Sequence, residues 1–164
     1  MNERPLPALE SAAGKYLTFR LGDEAYGIAV LKIREIIGLQ KITPVPQMPP
    51  HARGVINLRG KVIPVVDLRR KFHLDEAPET ERTCIIVVQA QLGDGDVSLV
   101  GLIVDAVEEV TQIAAGEIEP KPDMTGSGQN TFILGLAKSE GSVKTLLDIE
   151  QLLSEDLLTT GVLA

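Results

Sequence analysis

Gly54-Val55-Ile56-Asn57-Leu58-Arg59-Gly60-Lys61-Val62 aligns without a gap on Gly135-Leu136-Ala137-Lys138-Ser139-Glu140-Gly141-Ser142-Val143. The register continues from Val65-Val66-Asp67-Leu68 onto Leu146-Leu147-Asp148-Ile149, and from Phe72 onto Leu153. Upstream, Leu21-Gly22-Asp23 recurs as Leu92-Gly93-Asp94. Gly27-Ile28-Ala29-Val30 through Ile33 and Glu35-Ile36 recurs as Gly101-Leu102-Ile103-Val104 through Val107 and Glu109-Val110. Three blocks kept in one order, the last without a gap, point to a duplication and so to two similar structural units. The shared positions are glycines and apolar residues, which build a fold. At one turn, however, the first copy carries Asn57-Leu58-Arg59 and the second Lys138-Ser139-Glu140. Positions that diverge between copies of one scaffold are the freest to carry function.

The local patterns fill in the two units. Tyr16 to Leu21 alternates apolar and polar side chains, the mark of a half-buried strand, and Gly22-Asp23-Glu24 turns it into a hairpin with Tyr26 to Val30. Leu31 to Glu35 fits one helical turn or a continuing strand equally well. The prolines at 44, 46, 49 and 50 make an extended loop. Val55–Leu58 and Lys61–Asp67 flank the Arg59-Gly60 turn, and Pro64 inside the second strand predicts an edge or a bulge. Asp67 is placed to cap a short helix holding Leu68 and Phe72. Residues 75 to 82 form a polar connector. The second unit repeats the plan, with strands at Cys84–Val88, Val97–Val104 and Val143–Leu147 and a second Pro/Gly loop at 120–130. Asp148 caps a final helix with an apolar stripe of Ile149, Leu152, Leu153 and Leu157. Many short strands with Gly/Pro turns predict a mainly β protein built as two small barrels, a closure that removes exposed sheet edges. Each half alone is near the size at which a core is marginal, so the barrels are expected to share one. The expected layout is a flexible tail at 1–14, a folded region at 15–157 and a tail at 158–164. Its approximate subdomains are 15–75 and 82–157, with ends free to cross between barrels.

Composition narrows the function classes. Hydrophobic residues make up 44% of the chain and aromatics 3%, so the core is Val, Ile and Leu, which suits strands. A net charge of -7 argues against nucleic acid, whose phosphates need a basic surface, and stacking aromatics are lacking. One cysteine, Cys84, excludes an internal disulfide, and its apolar neighbours predict burial. The N-terminus lacks a signal-peptide pattern and no apolar run reaches membrane-spanning length, which reads as a cytoplasmic protein. Two histidines, His51 and His73, without a neighbouring His or Cys do not make a metal site. Ser127 lies outside any nucleophile elbow, and no phosphate-binding glycine loop follows a strand. No cofactor and no catalytic residue are expected.

What remains is interaction surface. Arg59 sits in a tight turn on a rigid hairpin, where its planar fork can pair with carboxylates. Ile33, Ile36 and Ile37 surround Glu35; any of them exposed near the seam between barrels would offer a place for a partner helix.

These stretches resemble the CheW family, the coupling proteins of bacterial chemotaxis. The resemblance is carried by Leu21-Gly22-Asp23-Glu24-Ala25-Tyr26-Gly27-Ile28, by Ile33-Arg34-Glu35-Ile36, and above all by the N-L-R-G-x-x-x-P-x-x-D-L-R run from Asn57 to Arg69. Val100-Gly101-Leu102-Ile103-Val104-Asp105 follows in order, so the match spans roughly residues 15 to 157. It implies two SH3-like barrels around a shared core. It also implies an adaptor, not an enzyme, that links the regulatory domain of the histidine kinase CheA to the cytoplasmic tips of chemoreceptors at membrane-associated arrays. By motif it implies partner-binding roles for Arg59, Ile33 and Glu35, a turn-shaping role for Gly54 and Asn57, and a groove position for Val104 and Val107. The alternatives are a CheW-like module of a CheV-type or non-motility system, and a small-molecule-binding double barrel.

Overall fold

The computed structural model describes residues 12–91, 96–120, 132–139 and 141–153. The expectations for a tail at 1–11, the turn at 92–95, the loop at 121–131, Leu157 and the segment 158–164 lie outside these residues. Gly14 already opens the first strand and Ala12 is buried, accepting a hydrogen bond on its carbonyl from the Tyr16 hydroxyl. Strand structure therefore begins at Gly14, one residue before residue 15.

The strands in chain order are β1 (Gly14–Leu21), β2 (Glu24–Ala29), β3 (Ile33–Gly38), β4 (Ala52–Leu58), β5 (Lys61–Asp67), β6 (Cys84–Gln91), β7 (Val97–Val104), β8 (Ala106–Ile113), β9 (Ile118–Glu119), β10 (Ile133–Ser139) and β11 (Ser142–Leu147). Short helices α1 (Leu68–Lys71) and α2 (Ile149–Leu153) follow β5 and β11. Asp67 Oδ1 accepts from the Arg69 amide at 3.0 Å and Asp148 Oδ1 from the Gln151 amide at 3.2 Å, so both expected caps form. The ambiguous stretch after β2 is both things in turn: a 3-10 turn at Val30–Lys32, then strand from Ile33.

One sheet runs β8-β1-β2-β11-β10-β9 and the other β3-β6-β7-β5-β4. The second is made of one continuous stretch, Ile33–Val104, and the first of the strands on either side of it. The chain therefore divides between sheets at Val30–Lys32 and at Asp105. The polar connector at 75–82, expected to separate the units, instead joins β5 to β6 inside the inserted barrel. The repeat survives this arrangement. Each sheet has a hairpin (β1–β2, β6–β7), an antiparallel flanking strand (β8, β3) with a bulge, and a parallel pairing of the hairpin with β11 or β5. Each barrel thus combines the hairpin of one sequence copy with the remaining strands of the other. Pro64 is not on an edge strand, since β5 lies between β7 and β4, but the ladder to β7 starts only at Val65. The missing N–H therefore falls outside that ladder.

Strand alternation divides the apolar residues among three clusters. Ile56, Ile63, Val65, Ile85, Val87 and Ile103 fill the inserted barrel, while Tyr16, Ile113, Ile118, Ala137 and Leu146 fill the flanking one. The alternate neighbours Val66, Ile86, Val88, Leu102 and Leu147 meet Leu17, Phe19, Ile28 and α2 in a core shared by both. The continuous apolar run at the start of β6 is explained by this: the strand is buried on both faces. Four of the aromatics form a near-parallel row across the seam, from Phe19 to Tyr26 to Phe72 to Phe132, with centroids 5.4–5.7 Å apart. Cys84, expected to be buried, is half-buried, and desolvation pushes its thiol pKa up.

Both crossings are pinned by an ion pair to a helix. Arg69 on α1 donates to both oxygens of Asp105, at 2.8 and 2.6 Å, and the Gly22 amide donates to the same carboxylate at 2.7 Å. Lys32 Nζ donates to Glu150 on α2 at 2.8 Å. Arg69 and Glu150 are equivalent positions of the repeat, so the two pins share a place but have reversed charge.

Candidate functional site

The β4–β5 hairpin closes through Leu58↔Lys61, which leaves Arg59 and Gly60 as a two-residue turn. Their φ values of 51 and 88 fit the mirror-image turn that matches strand twist. The Gly60 amide donates to Asn57 Oδ1 at 2.8 Å, so Asn57 does fix the shape of this turn. Leu58 is buried, which anchors the hairpin and leaves Arg59 projecting with a side chain 68% exposed.

Arg59 is not solitary. Its Nη2 donates to Glu35 Oε2 on β3, in a pair that brings together the two end strands of the inserted sheet. The hydrogen bond from Arg59 holds the Glu35 carboxyl below its ordinary pKa, and Glu35 in turn raises that of Arg59. Both groups are thus charged at neutral pH.

The sequence-derived residues separate into three groups. Asn57, Arg59 and Glu35 share one patch at the end of the inserted barrel. Ile33 and Val107 occupy equivalent positions of the repeat, each just after a crossing, and both are partly buried against the shared core at the seam. Gly54 and Val104 are inside. Val104 is 0% exposed within the shared core, so it cannot line a groove for a partner as expected. Gly54 does not shape the Arg59 turn. It sits at the β4 bulge, where a Cβ would lie 2.1 Å from the Thr43 carbonyl oxygen. Thr43 and Val55 form a bridge there, and Gly135 meets Glu119 in the same way in the other barrel.

Two exposed apolar residues close in sequence to the patch escaped the sequence reading in part or whole. Ile36, next to Glu35, is 44% exposed, and Val62, three residues after Arg59, is 65% exposed. Their repeat equivalents Val110 and Val143 are also exposed. The signal for Val62 was present: it alternates with the buried Ile63 on β5 and so faces outward. Each barrel thereby exposes two apolar side chains at matching positions of the repeat. Among the described residues no cluster of His, Cys, Asp and Glu suits a metal ion, and no helix is long and apolar enough to cross a membrane.

Comparison with known proteins agrees with this geometry. The family model for the CheW-like domain matches residues 15–157. The chain is 36% identical over 147 residues to the chemotaxis protein CheW of Klebsiella aerogenes, covering 90% of this chain and 86% of that protein. It is 33% identical over 142 residues to the chemotaxis protein CheW of Rhizobium meliloti, covering 87% and 88%. The crystal structure of the scaffolding protein TtCheW from Thermoanaerobacter tengcongensis superposes with a TM-score of 0.74 at 34% identity, over 85% of this chain and 92% of that one. With two small barrels on a shared core and a match over most of its length to these relatives, the chain belongs to the CheW family of chemotaxis scaffold proteins, adaptors rather than enzymes.

Proposed function

We propose that this protein couples the histidine kinase CheA to chemoreceptors, so that receptor state controls kinase activity in a signalling array. The observation that carries the reading is the Arg59–Glu35 pair, which ties the β4–β5 turn to β3 and is neighboured in sequence by the exposed Ile36 and Val62. An exposed charged pair on a barrel that also exposes apolar side chains suits a protein interface: the apolar groups supply burial and the charges supply orientation and partner choice. The regulatory domain of CheA is the partner proposed for the barrel ends. The seam between Ile33 and Val107 is proposed to take the helical tip of a receptor. The protein itself would be cytoplasmic and reach the membrane only through the array.

A scaffold passes a signal when the two receptor states bind the assembly with different free energy. Single contacts need only modest strength, because an array multiplies them. The test is binding of the wild-type chain to a CheA regulatory domain and to a receptor signalling fragment, each measured alone. Failure to bind either would remove the reading.

A further inference from the structure

The two crossings between barrels are equivalent places of the repeat, and they differ in what they show to solvent. Gly27-Ile28-Ala29-Val30 aligns on Gly101-Leu102-Ile103-Val104, so the next residues, Leu31 and Asp105, are equivalent as well. Arg34 falls on Glu108 in the same register. At the second crossing the fold uses these groups itself. The Asp105 carboxylate accepts from Arg69 and from the Gly22 amide, and its own amide donates to the Arg20 carbonyl at 3.1 Å. Glu108 pairs with Arg20 at 3.5 Å.

At the first crossing the pin sits one residue further on, at Lys32, and Leu31 is left over. Its side chain is the most exposed of the large apolar ones among the described residues, at 86%. The Val30–Lys32 turn buries none of its residues. Gln89 Nε2 donates to the Leu31 carbonyl at 3.3 Å, the Ile33 amide donates to the Val30 carbonyl, and Lys32 holds Glu150. None of these contacts uses the leucine side chain. Arg34 is exposed too, and its Nη1 donates to Gln89 only at 3.5 Å, the limit of a hydrogen bond.

A single exposed leucine is ordinary on a protein surface. This one differs in its setting: it precedes Ile33 at the seam by two residues, and a cation follows where the other copy has a carboxylate. An apolar anchor beside an exposed guanidinium matches an amphipathic helix whose apolar stripe is flanked by Asp or Glu. The receptor tip is the helical partner proposed for the seam, and the inference rests on that reading. We propose that the receptor helix engages the seam at the first crossing, with Leu31 buried in its apolar stripe and Arg34 paired with one of its carboxylates. The second crossing, where Asp105 and Glu108 stand, repels the same carboxylates. A scaffold with two equivalent crossings thereby offers one docking place rather than two.

The test is calorimetric titration of the full chain with a receptor signalling fragment and, separately, with a CheA regulatory domain. Leu31→Ala and Arg34→Gln should each weaken receptor binding by about tenfold and leave kinase binding within about twofold. Both side chains are exposed, so both variants should keep the wild-type unfolding midpoint. Added salt should weaken receptor binding by wild type more than by Arg34→Gln. Glu108→Gln, the equivalent change at the second crossing, should leave receptor affinity within about twofold of wild type. Receptor binding unchanged in folded Leu31→Ala and Arg34→Gln overturns the proposal, and so does a loss confined to the kinase. Wild type that binds neither partner is a different result: it removes the coupling reading, and this inference with it.

Discussion

Glu35 on β3 and Arg59 in the β4–β5 turn are ion-paired across the gap between the two end strands of the inserted sheet. The residues are 24 apart in sequence and meet only because that sheet curls round its own apolar cluster. The pair is solvated, so its role is to orient a surface rather than to hold the fold. Arg59→Glu should therefore keep the unfolding midpoint within about 2 °C of wild type, measured by circular dichroism. The Glu35→Arg/Arg59→Glu exchange restores the pair but reverses its polarity. It should be as stable as wild type and still bind partners poorly, if the partners read the charge pattern.

Gly54 belongs to the fold, not to the interface. A methyl group there would stand 2.1 Å from the Thr43 carbonyl, on backbone that has φ of 142. Gly54→Ala should cost about 3 kcal/mol or more in urea unfolding, because neither backbone segment can yield cheaply. Gly60→Ala, at φ 88 but with open space around it, should cost only about 1 kcal/mol. Similar costs for the two would show that the close approach at Thr43 is not a real constraint.

Val104 gives the complementary case. Fully buried in the shared core, it should act through stability alone. Val104→Ala should lower stability by about 2 kcal/mol and leave affinity per folded molecule unchanged. Calorimetric titration corrected for the folded fraction separates the two effects.

Asp105 makes the joint between barrels sensitive to acid. Burial raises its carboxyl pKa, but the hydrogen bonds from Arg69 and the Gly22 amide outweigh that, and the net shift is downward. A carboxyl lowered on folding contributes stability above its unfolded pKa of about 3.9, and the contribution is lost as pH falls through the lower folded value. Wild type should lose stability below about pH 4. Asp105→Asn should be less stable at neutral pH by about 2 kcal/mol, a figure reduced for partial exposure, and its stability should vary less with pH below 4. Denaturant midpoints at a series of pH values would show both.

Much of this architecture is legible in the chain because it is local. Turns at Gly22-Asp23 and Arg59-Gly60, the caps at Asp67 and Asp148, and the alternation in β1 depend on neighbours a few residues away. The duplication is legible because both copies meet the same constraints, as the close approaches at Gly54 and Gly135 show. The exchange of hairpins between copies is not legible. It rests on the parallel pairings of β2 with β11 and of β7 with β5, across long separations. Alternation shows that Val65 and Val66 face opposite ways, but not that each enters a different core. The connector at 75–82 has the composition of a domain boundary and lies within a barrel. Of the site, Arg59 and Glu35 could be singled out through family resemblance, whereas their contact needed the curl of the sheet. Val104 was misplaced because a valine in a motif says nothing about which side of the strand meets solvent.

The proposed coupling places the kinase at the barrel end that carries Arg59 and the receptor at the seam, and the most direct measurement is affinity. Wild type and Arg59→Glu should be titrated against a CheA regulatory domain and against a receptor signalling fragment, with folding checked by circular dichroism. The account predicts binding to both partners by wild type and a loss of about tenfold or more for at least one of them in the folded variant. Unchanged affinity for both partners in a folded Arg59→Glu chain would contradict it.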